Sequence, residues 1–243
     1  MTNAQSLDQT PVTMPHIGDP APQFTASTTQ GSIDFPADYA GKWVIFFSHP
    51  ADFTPVCTSE FIMFASMQQR FHEYRTELVG LSVDGLYSHI AWLRTIQEKI
   101  SFNGHDHVEV TFPLVDDVTM DVARRYGMIM PGEDSTKAVR AVFVIDPRGV
   151  IRAVIYYPLN TGRNFDELLR LIQALQTADA VGVATPADWR PGDRVIVPAA
   201  GSCGVAADRM AGHEAGVECQ DWFFCTRALD ATEVEDAIRA DRT

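Results

Sequence analysis

Cys57 stands in the segment His49-Pro50-Ala51-Asp52-Phe53-Thr54-Pro55-Val56-Cys57-Thr58-Ser59-Glu60-Phe61. The stretch before it, Lys42 to Ser48, has the length and apolar density of a fully buried strand. After it, Phe61, Ile62, Phe64, Ala65, Met67 and Phe71 recur at helical spacing. This junction predicts that Cys57 lies in the first turn of a helix. There, unpaired backbone N–H groups and the positive end of the macrodipole favour an anion and lower a thiol pKa below its free value of about 8.5. The chemistry on offer is that of a thiolate nucleophile. A dipole contribution of about 0.3–1 kcal/mol is small against the roughly 1.4 kcal/mol that each pKa unit represents, so a nearby cation is also needed, most naturally an arginine. Thr54, three residues earlier, brings a hydroxyl able both to accept and to donate, and Pro55 fixes φ and limits water close to the sulfur. The competing reading is an inert, small buried hydrophobe at Cys57 beside a turn threonine.

The elements that must hold this junction alternate. Leu78 to Val83 reads as a second buried strand, which completes a strand–helix–strand unit. Tyr87 to Ile100 reads as a helix, Phe112 to Val115 as a short strand, and Val118 to Tyr126 as a helix ending before Gly127. Arg140 to Ile145 and Val150 to Tyr157 flank the turn sequence Asp146-Pro147-Arg148-Gly149 and form a hairpin, and Phe165 to Leu175 is the next helix. Parallel units followed by a hairpin and a last helix are the order of an α/β, thioredoxin-like fold. Residues 16–177 are assigned to this domain. From about Ala178 the texture becomes rich in Gly, Pro and Ala, with one short apolar run, Arg194 to Val197, and a polar helix-like tail from Ala231 to Arg239. Residues 178–243 look too thin to fold alone, and they are expected to pack on their own core or on a second subunit.

The formal net charge of −13 argues against nucleic acid as a partner, because phosphate binding needs a basic surface. No apolar run approaches the roughly 18 residues of a membrane span. Residues 1–15 lack the basic start and apolar core of a secretory signal and read as a flexible extension, which favours a cytoplasmic location. Four cysteines, at positions 57, 203, 219 and 225, are few for a disulfide scaffold in 243 residues. Cys219 and Cys225 flank the aromatic run Trp222-Phe223-Phe224, and spacing alone does not assign them a role. A zinc site would need further ligands such as Cys203 and His213, and the usual Cys-x-x-Cys spacing is absent, so no metal is expected. His105-Asp106-His107 reads as an exposed polar loop.

Pro50, Thr54-Pro55-Val56-Cys57-Thr58 and Phe61, preceded by Phe47-Ser48-His49, resemble the active-site signature of the peroxiredoxins, specifically the one-Cys or peroxiredoxin-6-like branch. The resemblance extends from Gly18 to Arg239 and includes Lys137 to Asp146, Tyr156-Tyr157-Pro158 and Gly162-Arg163. It implies reduction of hydrogen peroxide and alkyl hydroperoxides through a sulfenic acid at Cys57, with no cofactor and with a thioredoxin-like or small-thiol reductant. It places Arg140, at the start of a late strand, as the cation beside Cys57. It further implies that Arg163 braces the site and Glu60, that His49 lines the pocket, and that Pro50 and Thr54 belong to the catalytic set. The C-terminal segment resembles the Cys-x5-Cys, Asp-Trp-Trp-Phe-Cys segment of archaeal-type members, with Phe223 a conservative departure. That likeness makes Cys225 the resolver of a neighbouring subunit's sulfenate and Cys219 its exchange partner. A homodimer, built through the smaller C-terminal dimerisation domain and assembled into a decamer or similar ring, is the implied state. Cys203, in a Gly-Ser-Cys-Gly loop, has no counterpart and reads as incidental.

Three other functions compete with this reading. Some relatives of this branch carry phospholipase activity, but Lys42 occupies the matching serine position and no Gly-x-Ser-x-Gly elbow is present. A peroxide-sensing holdase would oxidise Cys57 without steady turnover. A thiol–disulfide exchanger is disfavoured because Thr54 stands where its first cysteine would be.

Overall fold

The strand that carries the functional segment runs through the middle of its sheet. In the computed structural model, which describes residues 14–212, 214–230, 232 and 234, all six residues of β3 (Trp43–Ser48) are buried. Burial on both faces is why this stretch reads as an unbroken apolar run. The chain divides after Phe165 into two compact units.

In the first unit, seven strands are ordered β2-β1-β5-β4-β3-β6-β7. Here β1 is Phe24–Thr28, β2 Gly31–Phe35, β4 Thr76–Ser82, β5 Leu114–Asp116, β6 Arg140–Ile145 and β7 Ile151–Tyr157. β3 runs parallel to β4 and antiparallel to β6. Helix α1 (Pro55–Glu73) follows β3, α2 (Leu86–Lys99) follows β4 and the short α3 (Asp121–Arg125) follows β5. This is the mixed α/β, thioredoxin-like arrangement expected from the alternation of patterns.

The two-residue period of β3 sends neighbouring phenylalanines to opposite faces. Phe46 meets Phe24, Phe35, Tyr126 and Phe143 on one side. Phe47 meets Phe61 and Phe64 of α1, and Phe112, on the other. Phe47 sits opposite Gly80 in the β3–β4 register, and a Cβ there would come within 3.1 Å of both Phe47 and Leu114. Gly80 is therefore the clearance that lets the ring of Phe47 lie flat on the sheet and α1 seat above it.

One hairpin lies beyond the expected elements, and two local expectations need correction. The β1–β2 hairpin lies in a stretch too polar to announce itself, and its turn is set by the Thr28 hydroxyl, which donates to the Gly31 carbonyl and accepts from the Gln30 N–H. The helix expected over 118–126 is confined to Asp121–Arg125. Its start is delayed because the buried Asp117 carboxylate accepts from the N–H groups of Val122 and Ala123, and Met120 takes a left-handed φ of 61°. The strand expected over 112–115 begins only at Leu114, since Pro113 has no N–H to donate. The hairpin at Asp146 to Gly149 forms as expected, with the Asp146 carboxylate accepting from the N–H groups of Arg148 and Val150 and Gly149 at φ +78°.

In the second unit, most of α4 (Phe165–Val181) precedes a three-stranded antiparallel sheet ordered β8-β10-β9, formed by Val195–Ile196, Phe224–Arg227 and Val217–Asp221. Its core is small: Ala174, Trp189 and Val195, with Val183 and Leu229 packed against them. Cys203 is not in a loop. It opens helix α5 (Cys203–Met210), which is capped by the Ser202 hydroxyl accepting from the Val205 N–H, and its side chain is exposed. Residues 1–13, His213 and nearly all of Ala231 to Arg239 lie outside the described residues, so the assignments made for the N-terminal extension, the fourth zinc ligand and the polar tail concern parts of the chain not described. Among the described residues, no helix is long and apolar enough to cross a membrane.

Candidate active site

Cys57 is the third residue of α1 and is fully buried, with Pro55 opening the helix and Thr54 as the residue before it. The first bond of the helix runs from the Thr58 N–H to the Thr54 carbonyl, so the N–H of Cys57 itself lies ahead of the helical ladder. Pro fits this first position because it has no N–H to leave unpaired. The Thr54 hydroxyl does not cap the helix. It donates to the Ala51 carbonyl at 2.8 Å and is only partly buried, so its oxygen keeps acceptor capacity at the mouth of the segment. Pro50, buried, turns the chain out of β3.

A buried arginine stands beside the sulfur. Arg140, the first residue of β6, brings Nη1 to 3.3 Å from the Cys57 Sγ, and the same nitrogen donates to Glu60 Oε2 at 2.7 Å. The other side of the guanidinium is fixed by the Leu159 carbonyl, which accepts from Nε at 3.1 Å and Nη2 at 2.9 Å. With 2 % exposure, Arg140 holds its charge in a low-dielectric setting, where a 3.3 Å contact to sulfur counts for far more than in water.

Glu60 lies one helical turn beyond Cys57 and ties a second arginine to the first. Arg163 donates from its backbone N–H to Glu60 Oε1 at 2.9 Å and from Nη1 to Oε2 at 3.0 Å. Arg163 Nη2 donates to the carbonyl of Ser48, at the end of β3, and the guanidinium lies over the ring of Phe47 at 5.4 Å. Burial pushes the Arg163 guanidinium below its ordinary pKa and the neighbouring Arg140 pushes the same way, while Glu60 pulls it back up. One carboxylate between two buried guanidiniums leaves a net positive site around the sulfur. That is suited to a thiolate and to negative charge developing on a departing oxygen.

His49 is fully buried. Its Nε2 lies 3.1 Å from Asp52 Oδ1, and its ring packs against those of Phe61 and Trp92. Asp52 also meets His89 of α2 at 2.8 Å, and its backbone N–H donates to Asp84. Trp92, one turn further along α2, donates from Nε1 to the Thr58 hydroxyl at 3.1 Å. Asp52, His89 and Trp92 went unnoticed in the sequence. Asp52 lies within the quoted segment, but its partner His89 is 37 residues away, and a histidine and a tryptophan on an amphipathic helix carry no chemical signal of their own.

Cys219 and Cys225 face each other across β9 and β10 and form a disulfide. In this state neither is a free thiol; Cys225 is buried and Cys219 partly buried. Lys42 is exposed and pairs with Glu77 at 2.8 Å.

Residues 17–154 match the AhpC/TSA family, and residues 174–203 match the C-terminal domain of 1-Cys peroxiredoxin. A peroxiredoxin of Methanosarcina mazei is 56% identical over 214 residues, covering 88% of this chain and 98% of that protein. One of Aquifex aeolicus is 49% identical over 228 residues, covering 90% and 99%. Among solved structures, a yeast mitochondrial 1-Cys peroxiredoxin superposes with a TM-score of 0.76 at 38% identity, covering 89% of this chain and all of that one. A mutant of peroxiredoxin 6 from Arenicola marina gives 0.77 at 31% identity, covering 89% and 99%. With relatives this similar along nearly the whole length, and a buried cysteine facing an arginine at a helix start, the chain belongs to the peroxiredoxins, the thiol-dependent peroxidases of the AhpC/TSA family.

Proposed function

We propose that Cys57 is the peroxidatic residue, and that it reduces hydrogen peroxide and alkyl hydroperoxides. The observation that carries this reading is the 3.3 Å contact between Arg140 Nη1 and the Cys57 Sγ in a fully buried site. The thiolate attacks one peroxide oxygen, an S–O bond forms, the O–O bond breaks, and the departing hydroxide or alkoxide takes a proton. Arg140 steadies the sulfur before attack and the leaving oxygen during it, and the Thr54 hydroxyl holds the peroxide in line. Glu60 and Arg163 keep the Arg140 guanidinium in place. His49 and Pro50 form the wall behind the loop.

The sulfenic acid is then resolved by Cys225 of a neighbouring subunit: the Cys225 thiol displaces water from the Cys57 sulfenic acid and leaves a Cys57–Cys225 disulfide. Because Cys57 is fully buried, the first turn of α1 must unwind to bring the two sulfurs within bonding distance. Cys219, paired with Cys225 across β9 and β10, then attacks Cys225, re-forms the observed disulfide and releases Cys57 as a thiol. An external thiol reduces Cys219–Cys225 and closes the cycle. A thioredoxin-like dithiol or a small thiol is suited to this step, in keeping with the yeast relative, whose thiol is resolved via glutathione/thioredoxin systems. Exchange between subunits requires at least a homodimer, built through residues 178–243 and extended to a ring.

Steady peroxide consumption with a dithiol reductant tests the enzyme reading, with Cys57→Ser as the inactive control. Consumption that stops after one equivalent would instead support a peroxide-sensing holdase. Non-reducing electrophoresis after one equivalent of peroxide tests the exchange. Cys225→Ser is expected to lose the disulfide-linked dimer, and Cys219→Ser to accumulate it, because the step that releases Cys57 is missing. A linked dimer that persists in Cys225→Ser would place resolution at another thiol.

A further inference from the structure

The buried chain His49–Asp52–His89 is more than packing behind the loop. Both ring nitrogens of His89 face oxygen acceptors: Nδ1 meets Asp52 Oδ2 at 2.8 Å and Nε2 meets the Val115 carbonyl at 3.2 Å. A carbonyl can only accept, so Nε2 carries a proton. Nδ1 then bonds to Asp52 either as a second N–H donor or as acceptor from a protonated carboxyl. The second arrangement is disfavoured. Burial pushes the Asp52 carboxyl up, but hydrogen bonds from His49 and His89 outweigh it and hold Asp52 well below the usual carboxylate range. Both ring nitrogens of His89 are then donors, Nε2 to the Val115 carbonyl and Nδ1 to the Asp52 carboxylate.

The same carboxylate decides the state of His49. Asp52 Oδ1 accepts a hydrogen bond from the Nε2–H of His49 at 3.1 Å, and burial pushes the His49 ring below its ordinary pKa, so the ring is neutral. Its one proton is on Nε2. The other nitrogen, Nδ1, is bare, buried and without a hydrogen-bond partner among the described residues. A buried acceptor with no donor is costly and is retained where something transient is to use it. The charged groups facing this corner are Asp52 in the loop after β3, Asp84 after β4, which accepts from the Asp52 N–H and the Ser82 hydroxyl, and His89 on α2. Helices α1 and α2 otherwise present the uncharged rings of Phe61 and Trp92 to His49. Phe61, whose ring lies 4.8 Å from that of His49, is one turn beyond Cys57 on α1.

We infer that His89 is a positioning residue for peroxide reduction: through Asp52 it holds His49 as the Nε2–H tautomer and so maintains Nδ1 as an unprotonated acceptor beside the Cys57 turn. His89 touches no reacting atom. Its positive charge neutralises Asp52, and without it Asp52 would draw a second proton onto His49 and close the acceptor. This assignment rests on the peroxidase reading only for its kinetic consequence.

The test has a spectroscopic and a kinetic part. In the full-length wild-type protein at pH 7, nitrogen-15 imidazole spectra are expected to show two N–H groups on His89 and one, at Nε2, on His49. A His49 protonated at Nδ1, or a His89 with a single N–H, would overturn the inference without any variant needing to fold. In His89→Gln, the rate of Cys57 oxidation by hydrogen peroxide is expected to fall about tenfold at pH 6 and to recover at pH 8, because an unneutralised Asp52 moves the protonation of His49 upward. In Asp52→Asn the rate is expected to fall without a new acid limb, since the anion that would draw the proton is gone. Equal losses in both variants with an unmoved pH profile would mean a merely structural role. Failure of the wild-type protein to react with peroxide would sink the peroxidase reading and leave the spectroscopic result standing.

Discussion

Arg140→Ala is expected to slow the reaction of Cys57 with hydrogen peroxide by roughly 10³-fold, the upper range for removing a preorganised electrostatic donor. Arg140 is the charged group placed against the sulfur, at 3.3 Å, and the helix start contributes only about 0.3–1 kcal/mol toward an anion there. The variant should remain folded. Glu60 keeps both of its bonds to Arg163, and the main loss is the Leu159 carbonyl, which no longer receives Nε and Nη2. That cost is about 1–3 kcal/mol, the scale of one buried acceptor left unsatisfied. Stopped-flow oxidation of Cys57 beside urea unfolding separates the two effects. A rate within about tenfold of the wild-type value, one unit on a logarithmic scale and about 1.4 kcal/mol, would mean that another cation steadies the sulfur.

The residues of this site differed in how far they could be read from the chain. Cys57, Thr54 and Pro55 were legible because their roles depend on local order: a buried strand, a two-proline loop and a helix start fall within about a dozen positions. Arg140 and Arg163 lie 83 residues from Cys57 and 103 from Glu60, and physics required a cation without saying which. Only the family resemblance chose them. His89 was invisible, since its significance arises when α2 presents it to Asp52. The pairing of Cys219 with Cys225 could not be decided from spacing, because it depends on the tight turn that brings β9 and β10 into register. The β1–β2 hairpin is hard to read for the related reason that its short, half-buried strands show little alternation.

Glu60→Gln is expected to have the opposite signature to Arg140→Ala, with a large loss of stability and a small change in reactivity. Glu60 is 1% exposed and is the carboxylate between two guanidiniums that are themselves buried. A neutral isostere can still accept a hydrogen bond, but it leaves two like charges close together with no counter-charge, which costs about 3–5 kcal/mol. Arg163 already feels the repulsion of Arg140, and Glu60 is what offsets it. Urea unfolding at pH 7 is expected to show the loss as a lowered midpoint with an unchanged slope. The oxidation rate of Cys57 should stay within about threefold, because a glutamine oxygen can still accept from Arg140 Nη1, the nitrogen that also faces the Cys57 sulfur, and Glu60 contacts no reacting atom. If the rate collapsed as in Arg140→Ala, Glu60 would be aiming Arg140 rather than merely neutralising it. Adding Arg163→Met to Glu60→Gln separates these roles. Removing the second buried cation should restore much of the lost stability, since neighbours in one charge network are not additive. A double variant no more stable than Glu60→Gln would show that the cost came from lost hydrogen bonds and not from repulsion between Arg140 and Arg163.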